Sequence, residues 1–145
     1  MKLKKLNHFM HQAILEGRKA REHCAPNPPV GCVLVHNEKI VARGHTQPPG
    51  QEHAEAMALK QLPANAKDII AFVTLEPCSF HGRTPSCAKT LVEKGIGKVY
   101  VGMIDPDPRN SGKGIEILRK ADIQVTLGIA SKAIAADLGP FLIGS

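Results

Sequence analysis

Short apolar runs alternate with helix-like segments along this chain, and this alternation constrains its fold more than any other feature. The runs at 30–35, 69–75 and 98–104 have the length and apolar character of strands, and the last two fit buried strands. Segments with helical composition lie before, between and after these runs. An alternating order of this kind is typical of a layered α/β domain.

The same patterns place further elements. A turn at 36–39 joins the first run to a second strand at 40–43, which predicts an antiparallel hairpin. A last strand is expected at 123–127, and helices are expected at 5–22, 53–62, 85–94, 113–120 and 130–138. A chain of 145 residues is long enough for one hydrophobic core. We therefore expect residues 1–145 to form a single domain of three layers.

Composition narrows the classes of function. Aromatic residues make up 3% of the chain, which disfavours a nucleic-acid surface built on stacked aromatic side chains. The net charge of +6 suits an anionic partner but does not choose between a phosphorylated metabolite and nucleic acid. No stretch approaches the ~20 apolar residues of a membrane span, and the lysine-rich N-terminal segment lacks the apolar centre of a signal peptide. We therefore expect a cytoplasmic protein whose four cysteines are metal ligands or free thiols.

Three residues with zinc-binding side chains stand near predicted helix starts, namely His53, Cys78 and Cys87. One imidazole and two thiolates leave a fourth tetrahedral position for water, which is the arrangement of catalytic rather than structural zinc sites. Glu55 follows His53 by two residues, and at a helix N-terminus its carboxylate can reach that water and carry a proton. The sequence thus predicts a catalytic zinc site with Glu55 beside it.

The order His-x-Glu, then Pro-Cys, then a second Cys is typical of zinc-dependent nucleobase deaminases. In this chain eight residues separate Cys78 from Cys87, whereas that signature has two. The wider spacing calls for a more specific explanation. Cys32 lies in an apolar run and Cys24 precedes a proline-rich turn, so neither is expected to bind the metal.

Longer motifs surround these residues and carry a resemblance to a known family. They are TLEPCSFHGRTPSC at 74–87, PNPPVGC at 26–32, HAE at 53–55, and DPDP at 105–108 followed by GKG at 112–114. Over about residues 5–142 the chain resembles the deaminase domain of the bifunctional riboflavin-biosynthesis deaminase/reductase family. The resemblance implies the cytidine-deaminase fold, an α/β/α sandwich of three layers with a five-stranded mixed sheet.

The resemblance also implies an activity and a set of contacts. The reaction is the hydrolytic loss of ammonia from diaminohydroxyphosphoribosylaminopyrimidine, an early intermediate of riboflavin synthesis, with zinc as cofactor. The phosphoribosyl end of that substrate is held in the family by residues that match Asn27, His45, Arg83 and Asp105. We therefore expect a phosphorylated small-molecule substrate and a homo-oligomer, with neither a membrane nor a nucleic-acid partner.

Two positions depart from the family pattern. Phe80 stands where the family has a histidine, and the neighbouring His81 either takes over the substrate contact or only fills the loop. Asp107 stands where the family has an asparagine, and the added carboxylate is expected to repel a phosphate. The chain also ends where the bifunctional family continues into its reductase domain, which indicates a stand-alone deaminase.

Three other functions stay open on the sequence alone. The departures at Phe80 and Asp107 favour a deaminase of another small aminated heterocycle or nucleobase. The positive charge permits a base-editing deaminase that acts on a flipped base of a nucleic acid. The third is a zinc-stabilised interaction module without activity, and the presence of Glu55 speaks against it.

Overall fold

Five strands and five α-helices occur in the part of the chain that our computed structural model describes, residues 1–63, 67–82 and 84–142. The strands are β1 (Gly31–His36), β2 (Lys39–His45), β3 (Ile70–Leu75), β4 (Lys98–Met103) and β5 (Gln124–Leu127). The helices are α1 (Leu3–Arg18), α2 (Ala54–Leu59), α3 (Cys87–Lys94), α4 (Lys113–Lys120) and α5 (Ser131–Leu138). The order of elements predicted from the sequence is therefore confirmed.

The largest shifts from the predicted bounds are at the ends of the first two helices. α1 was expected to reach residue 22 but ends at Arg18, after which the chain tightens into turns. There the N–H of Ala20 donates to the carbonyl of Gly17, and the N–H of Arg21 donates to the carbonyl of Arg18. Each of these hydrogen bonds joins residues three positions apart, as in a 3₁₀ turn, and such turns commonly end an α-helix. No helix in the described residues is both long and apolar enough to span a membrane.

The five strands form one mixed sheet in the order β2-β1-β3-β4-β5. β1 pairs antiparallel with both β2 and β3, whereas β3, β4 and β5 run parallel. Asn37 and Glu38 join β1 to β2 with φ angles of 49° and 59°, as a two-residue hairpin turn of positive φ requires. The expected hairpin and the five-stranded mixed sheet are both confirmed.

Helices cover both faces of the sheet, which gives the expected three layers. α1 and α5 pack on one face through a cluster that includes Met10, Phe72 and Ile134. α2, α3 and α4 pack on the other face through a cluster that includes Leu59, Leu91 and Leu118. Both faces of the central strands are covered, so β1 and β3 are buried along nearly their whole length.

One edge of the sheet collects the loops that carry the predicted motifs. The parallel strands β3 and β4 end there at Leu75 and Met103, and the antiparallel β1 begins there at Gly31. Gly31 is required at this point because a Cβ on it would lie 1.8 Å from the carbonyl oxygen of Ala13 in α1. The segments that follow β3 and β4 and precede β1 therefore meet in space, and polar residues gathered at such an edge form a site.

Candidate metal centre and active site

His53 is the residue that directly precedes α2. Its backbone is extended, with φ of −78° and ψ of 170°, and α2 begins at the next residue. This geometry directs His53 away from the helical spiral while Glu55 lies in the first turn of α2. The two side chains line one pocket, as the sequence predicted for a site at a helix start.

Cys78 and Cys87 are brought together by a loop that folds back on itself. The hydroxyl of Ser86 and the N–H of Ala88 both donate to the carbonyl of Cys78, at 2.7 and 3.0 Å. The N–H of Cys87 lies 3.2 Å from Sγ of Cys78. Ser86 also caps α3 by accepting a hydrogen bond from the N–H of Lys89. The eight intervening residues thus return the chain to the first thiol, so the wide spacing still produces a compact pair.

The three predicted ligands form one cluster. Nδ1 of His53 lies 3.3 Å from Sγ of Cys87 and 3.7 Å from Sγ of Cys78. All three ligand atoms lie within 4.8 Å of one another. Nε2 of His53 lies 3.3 Å from the hydroxyl of Thr84, which orients the ring so that Nδ1 faces the thiols. One nitrogen and two sulfur atoms at this separation fit a tetrahedral zinc ion with one open position.

The electrostatics of the cluster favour a metal ligand at Cys78. The neighbouring thiol of Cys87 and the imidazole of His53 lower the pKa of Cys78 to about 4. Contact with Cys78 and burial raise the pKa of Cys87 well above its ordinary value in the metal-free chain. The pKa of His53 is raised by the hydrogen bond with Cys78. A thiolate beside a proton-bearing imidazole is a preformed site for a soft dication, which takes the place of the proton.

Glu55 is the buried acid of the site. Glu55 is 4% exposed, and burial together with the charge of Cys78 raises its pKa to about 7. A carboxyl with this pKa both accepts and releases a proton near neutral pH, which suits a general acid-base. The carboxyl, the imidazole of His53 and the thiol of Cys78 all line the same pocket.

The pocket joins the buried cluster to the loops at the edge of the sheet. Of the residues predicted to contact substrate, it includes Asn27 and Asp105. The carboxylate of Asp105 accepts from the N–H of Asp107 at 3.0 Å and from the side-chain amide of Asn110 at 3.3 Å. Burial raises the pKa of Asp105. Both predicted contacts can therefore reach a ligand that lies between them.

Two of the remaining predicted contacts, His45 and His81, lie outside the lining of this pocket. Nδ1 of His45 lies 2.6 Å from a carboxylate oxygen of Glu16, and His45 is outside the residues that line the pocket. His81 is exposed and is also outside that lining. Arg83 falls outside the residues that the structure describes. Cys24 and Cys32 are free and buried, and neither belongs to the cluster.

Sequence reasoning gave no role to Glu76, although the residue stands in the motif beside Cys78. Its carboxylate is buried and accepts from the N–H groups of Asp105, Gly112 and Ile115 at 3.1, 2.9 and 3.2 Å. Glu76 therefore ties the loop after β4 and the start of α4 to the segment that holds Cys78. A glutamate directly after a buried strand and before a metal ligand was the available signal.

The family model for the cytidine and deoxycytidylate deaminase zinc-binding region matches residues 3–103. The chain belongs to the cytidine and deoxycytidylate deaminase family. The match contains His53, Glu55, Cys78 and Cys87, so a zinc-binding family and a cluster with zinc-binding donors coincide in this chain. Zinc is accordingly the cofactor of this deaminase domain.

Relatives place this deaminase within a narrower group. It is 47% identical over 121 residues to the riboflavin biosynthesis protein RibD of Haemophilus influenzae, covering 83% of this chain but 32% of that relative. It is 42% identical over 124 residues to a diaminohydroxyphosphoribosylamino-pyrimidine deaminase of Buchnera aphidicola subsp. Schizaphis graminum, covering 86% of this chain and 84% of the relative. The chain spans about a third of the length of the RibD relatives it matches.

A solved structure shows the same fold. RibD of Acinetobacter baumannii superposes with a TM-score of 0.93 at 41% identity, covering 97% of this chain and 39% of that one. The expected cytidine-deaminase-like fold and the stated family resemblance are both confirmed.

Proposed function

We propose that this deaminase hydrolyses the amino group of diaminohydroxyphosphoribosylaminopyrimidine, with His53, Cys78 and Cys87 as zinc ligands and Glu55 as the catalytic residue. One observation carries the proposal: the buried carboxyl of Glu55 lines the same pocket as His53 and Cys78, two members of the His/Cys/Cys cluster. The substrate follows from the 42% identity to a relative named for that deamination over most of both chains.

The chemistry divides between the metal and the side chains. A zinc ion held by His53, Cys78 and Cys87 would supply a Lewis acid that acidifies the attacking water. Glu55 takes a proton from that water on a carboxylate oxygen and later gives it to the leaving amino group. The ring carbon gains the oxygen of water and loses ammonia, so an amine becomes a carbonyl.

The surrounding residues bind and orient the substrate. The amide of Asn27 both donates and accepts hydrogen bonds, and Asp105 accepts them from ribose hydroxyls. Both line the pocket that contains Glu55. His45 and Arg83 complete the proposed phosphoribosyl contacts, and His81 stays a predicted contact on the exposed side of the loop. A homo-oligomer and a cytoplasmic location stay predictions as well.

The test is ammonia release from the phosphoribosylated aminopyrimidine by zinc-loaded protein. We expect turnover by the wild type and a loss of at least about 10³-fold in Glu55→Gln, since an amide cannot carry the proton. Zinc content measured on both proteins serves as the control, because Glu55 is not a ligand. Turnover of cytidine or deoxycytidylate with none of the phosphoribosylated aminopyrimidine would assign the domain to another substrate.

A further inference from the structure

The two family departures, Phe80 and Asp107, meet at one side chain. The guanidinium of Arg109 lies 4.8 Å from the centre of the Phe80 ring. Its Nε lies 3.1 Å from both carboxylate oxygens of Asp107, and its Nη2 lies 2.6 Å from Oδ2. Phe80, Asp107 and Arg109 therefore form one assembly, which we call the Arg109 clamp.

The clamp changes the expected effect of Asp107. The side chain of Asp107 is 11% exposed and is engaged by Arg109 through both carboxylate oxygens and by the N–H of Arg109. The guanidinium of Arg109 lowers the pKa of Asp107. Its negative charge is thus paired inside the protein, and the repulsion of a phosphate expected from the sequence is offset by the neighbouring cation.

Arg109 also has the position of a recognition residue. Phe80, Asp107 and Arg109 all line the pocket that contains Glu55. Glu55 is 4% exposed whereas the Arg109 side chain is 68% exposed, so the pocket runs from a buried acid to a cation at the solvent side. Among the described residues that line it, Arg109 is the one lysine or arginine, beside the carboxylates of Glu55, Glu76, Asp105 and Asp107.

The clamp leaves one edge of the guanidinium for a ligand. The described hydrogen bonds of the Arg109 guanidinium use Nε and Nη2, and Nη1 takes part in none of them. The Phe80 ring and the Asp107 carboxylate hold the planar group in place, so less side-chain entropy is lost on binding. A planar guanidinium with free N–H groups is well matched to phosphate oxygens.

We propose that Arg109 is a specificity-determining residue that binds the phosphate of the substrate at the solvent side of the pocket, with Phe80 and Asp107 as its positioning residues. This inference rests on the proposed function for the identity of the phosphorylated substrate. It places the reacting ring at the buried end of the pocket, beside Glu55, and the anionic tail toward Arg109.

The test compares Arg109→Ala and Arg109→Lys with the wild type on the phosphoribosylated aminopyrimidine and on its dephosphorylated form. Losing a charge-assisted hydrogen bond at a partly exposed site is expected to raise KM for the phosphorylated compound about tenfold, with kcat within about twofold. The lysine variant recovers part of the loss. The dephosphorylated compound should show the same KM in all three proteins. Arg119→Ala, which removes an exposed arginine that donates to Val125 on β5, is the matched control.

Binding of ribose 5-phosphate, measured by calorimetry, separates this inference from the proposed function. Wild-type binding that weakens about tenfold in Arg109→Ala supports the clamp even if the aminopyrimidine is not turned over. Equal binding of ribose 5-phosphate by wild type and Arg109→Ala, or an unchanged KM for the phosphorylated compound, overturns it. In that case Arg109 has only a structural role in the loop.

Discussion

Nδ1 of His45 lies 2.6 Å from Oε2 of Glu16, which joins the end of β2 to the end of α1. Glu16 is 4% exposed, and its other carboxylate oxygen accepts from Lys19 at 3.0 Å. The hydrogen bond between the Glu16 carboxylate and Nδ1 of His45 fixes the orientation of the imidazole ring. The proposed substrate contact at His45 thus depends on a residue of the helix layer that packs on the sheet.

Replacing Glu16 by alanine should therefore reduce both stability and substrate binding. We expect the free energy of unfolding to fall by about 2 kcal/mol at pH 7, because a buried hydrogen-bonded partner is lost. Burial raises the pKa of Glu16, but the interactions with His45 and Lys19 lower that pKa by a larger amount, so the net shift is downward. A lowered folded-state pKa stabilises above the unfolded value of about 4.3, and this stabilisation disappears as the pH falls through the folded value.

Denaturant unfolding at several pH values measures that effect. The difference between wild type and Glu16→Ala should shrink below about pH 4. Lys19→Ala is the control, because it removes an exposed partner and leaves the contact with His45. A loss as large in Lys19→Ala as in Glu16→Ala would show that the imidazole contact contributes nothing.

Glu55 should make the metal-free protein less stable as the pH rises. Its folded-state pKa is raised to about 7, from an ordinary value near 4.5, chiefly by burial. The stabilisation is fully present below about pH 4.5 and is lost as the pH rises through about 7. Glu55→Gln lacks this titration, so its unfolding free energy should gain about 3 kcal/mol relative to wild type between pH 4.5 and pH 8.

The comparison between wild type and Glu55→Gln removes the carboxyl together with its coulombic interaction with Cys78. The measurement is chemical denaturation of chelator-treated protein across that interval. Parallel stability curves for the two proteins would mean that Glu55 is ionised in the folded chain at low pH.

Zinc content should depend on Cys78 and Cys87 and on no other cysteine. Cys78→Ser and Cys87→Ser each replace a thiolate by a hydroxyl, which is a far weaker ligand for zinc, so we expect loss of bound zinc. Cys24→Ala is the matched control, since Cys24 is free and lies outside the cluster. Elemental analysis gives the stoichiometry, and removal of zinc by a chelator should lower Tm of the wild type but not of the serine variants. Equal zinc in all four proteins would place the metal elsewhere.

Glu76→Gln should loosen the loop that carries Asp105 and Arg109. Glu76 accepts three backbone hydrogen bonds, and an amide in its place turns an NH₂ group toward at least one of those donors. We expect a loss of about 2 kcal/mol in unfolding free energy. KM should also rise, because both loop residues line the pocket.

Glu116→Gln is the control for that variant. Glu116 lies in the first turn of α4, the helix whose start Glu76 contacts. It pairs with Lys120 on the surface, and both side chains are more than half exposed. Its loss should change stability by less than about 0.5 kcal/mol. If Glu76→Gln is equally mild, the loop is held by its other contacts, among them the donation from Asn110 to the carbonyl of Pro77 at 3.2 Å.

Local patterns in the sequence determined the order of the elements and the choice of the proposed zinc ligands. Apolar runs and turn residues are local signals, so β1 to β5 could be placed to within a few residues. His53, Cys78 and Cys87 were identifiable because few types of side chain bind zinc. Each of the three also stands within a short motif that can be read from neighbouring residues, at 53–55 or at 74–87. Helix ends were less certain, as at Arg18, because tertiary contacts and turn bonds decide where a helix ends.

Only the tertiary structure decided which charges are paired. Glu16 and His45 are 29 residues apart, and Glu76 reaches the N–H of Ile115 across 39 residues. Asp107 was expected to repel a phosphate, yet the fold places Arg109 against it and against Phe80. Sequence spacing sets which residue types are available, whereas distance and burial set the strength of an electrostatic interaction. The partners of these groups could therefore be known only once the loops at one edge of the sheet had been brought together.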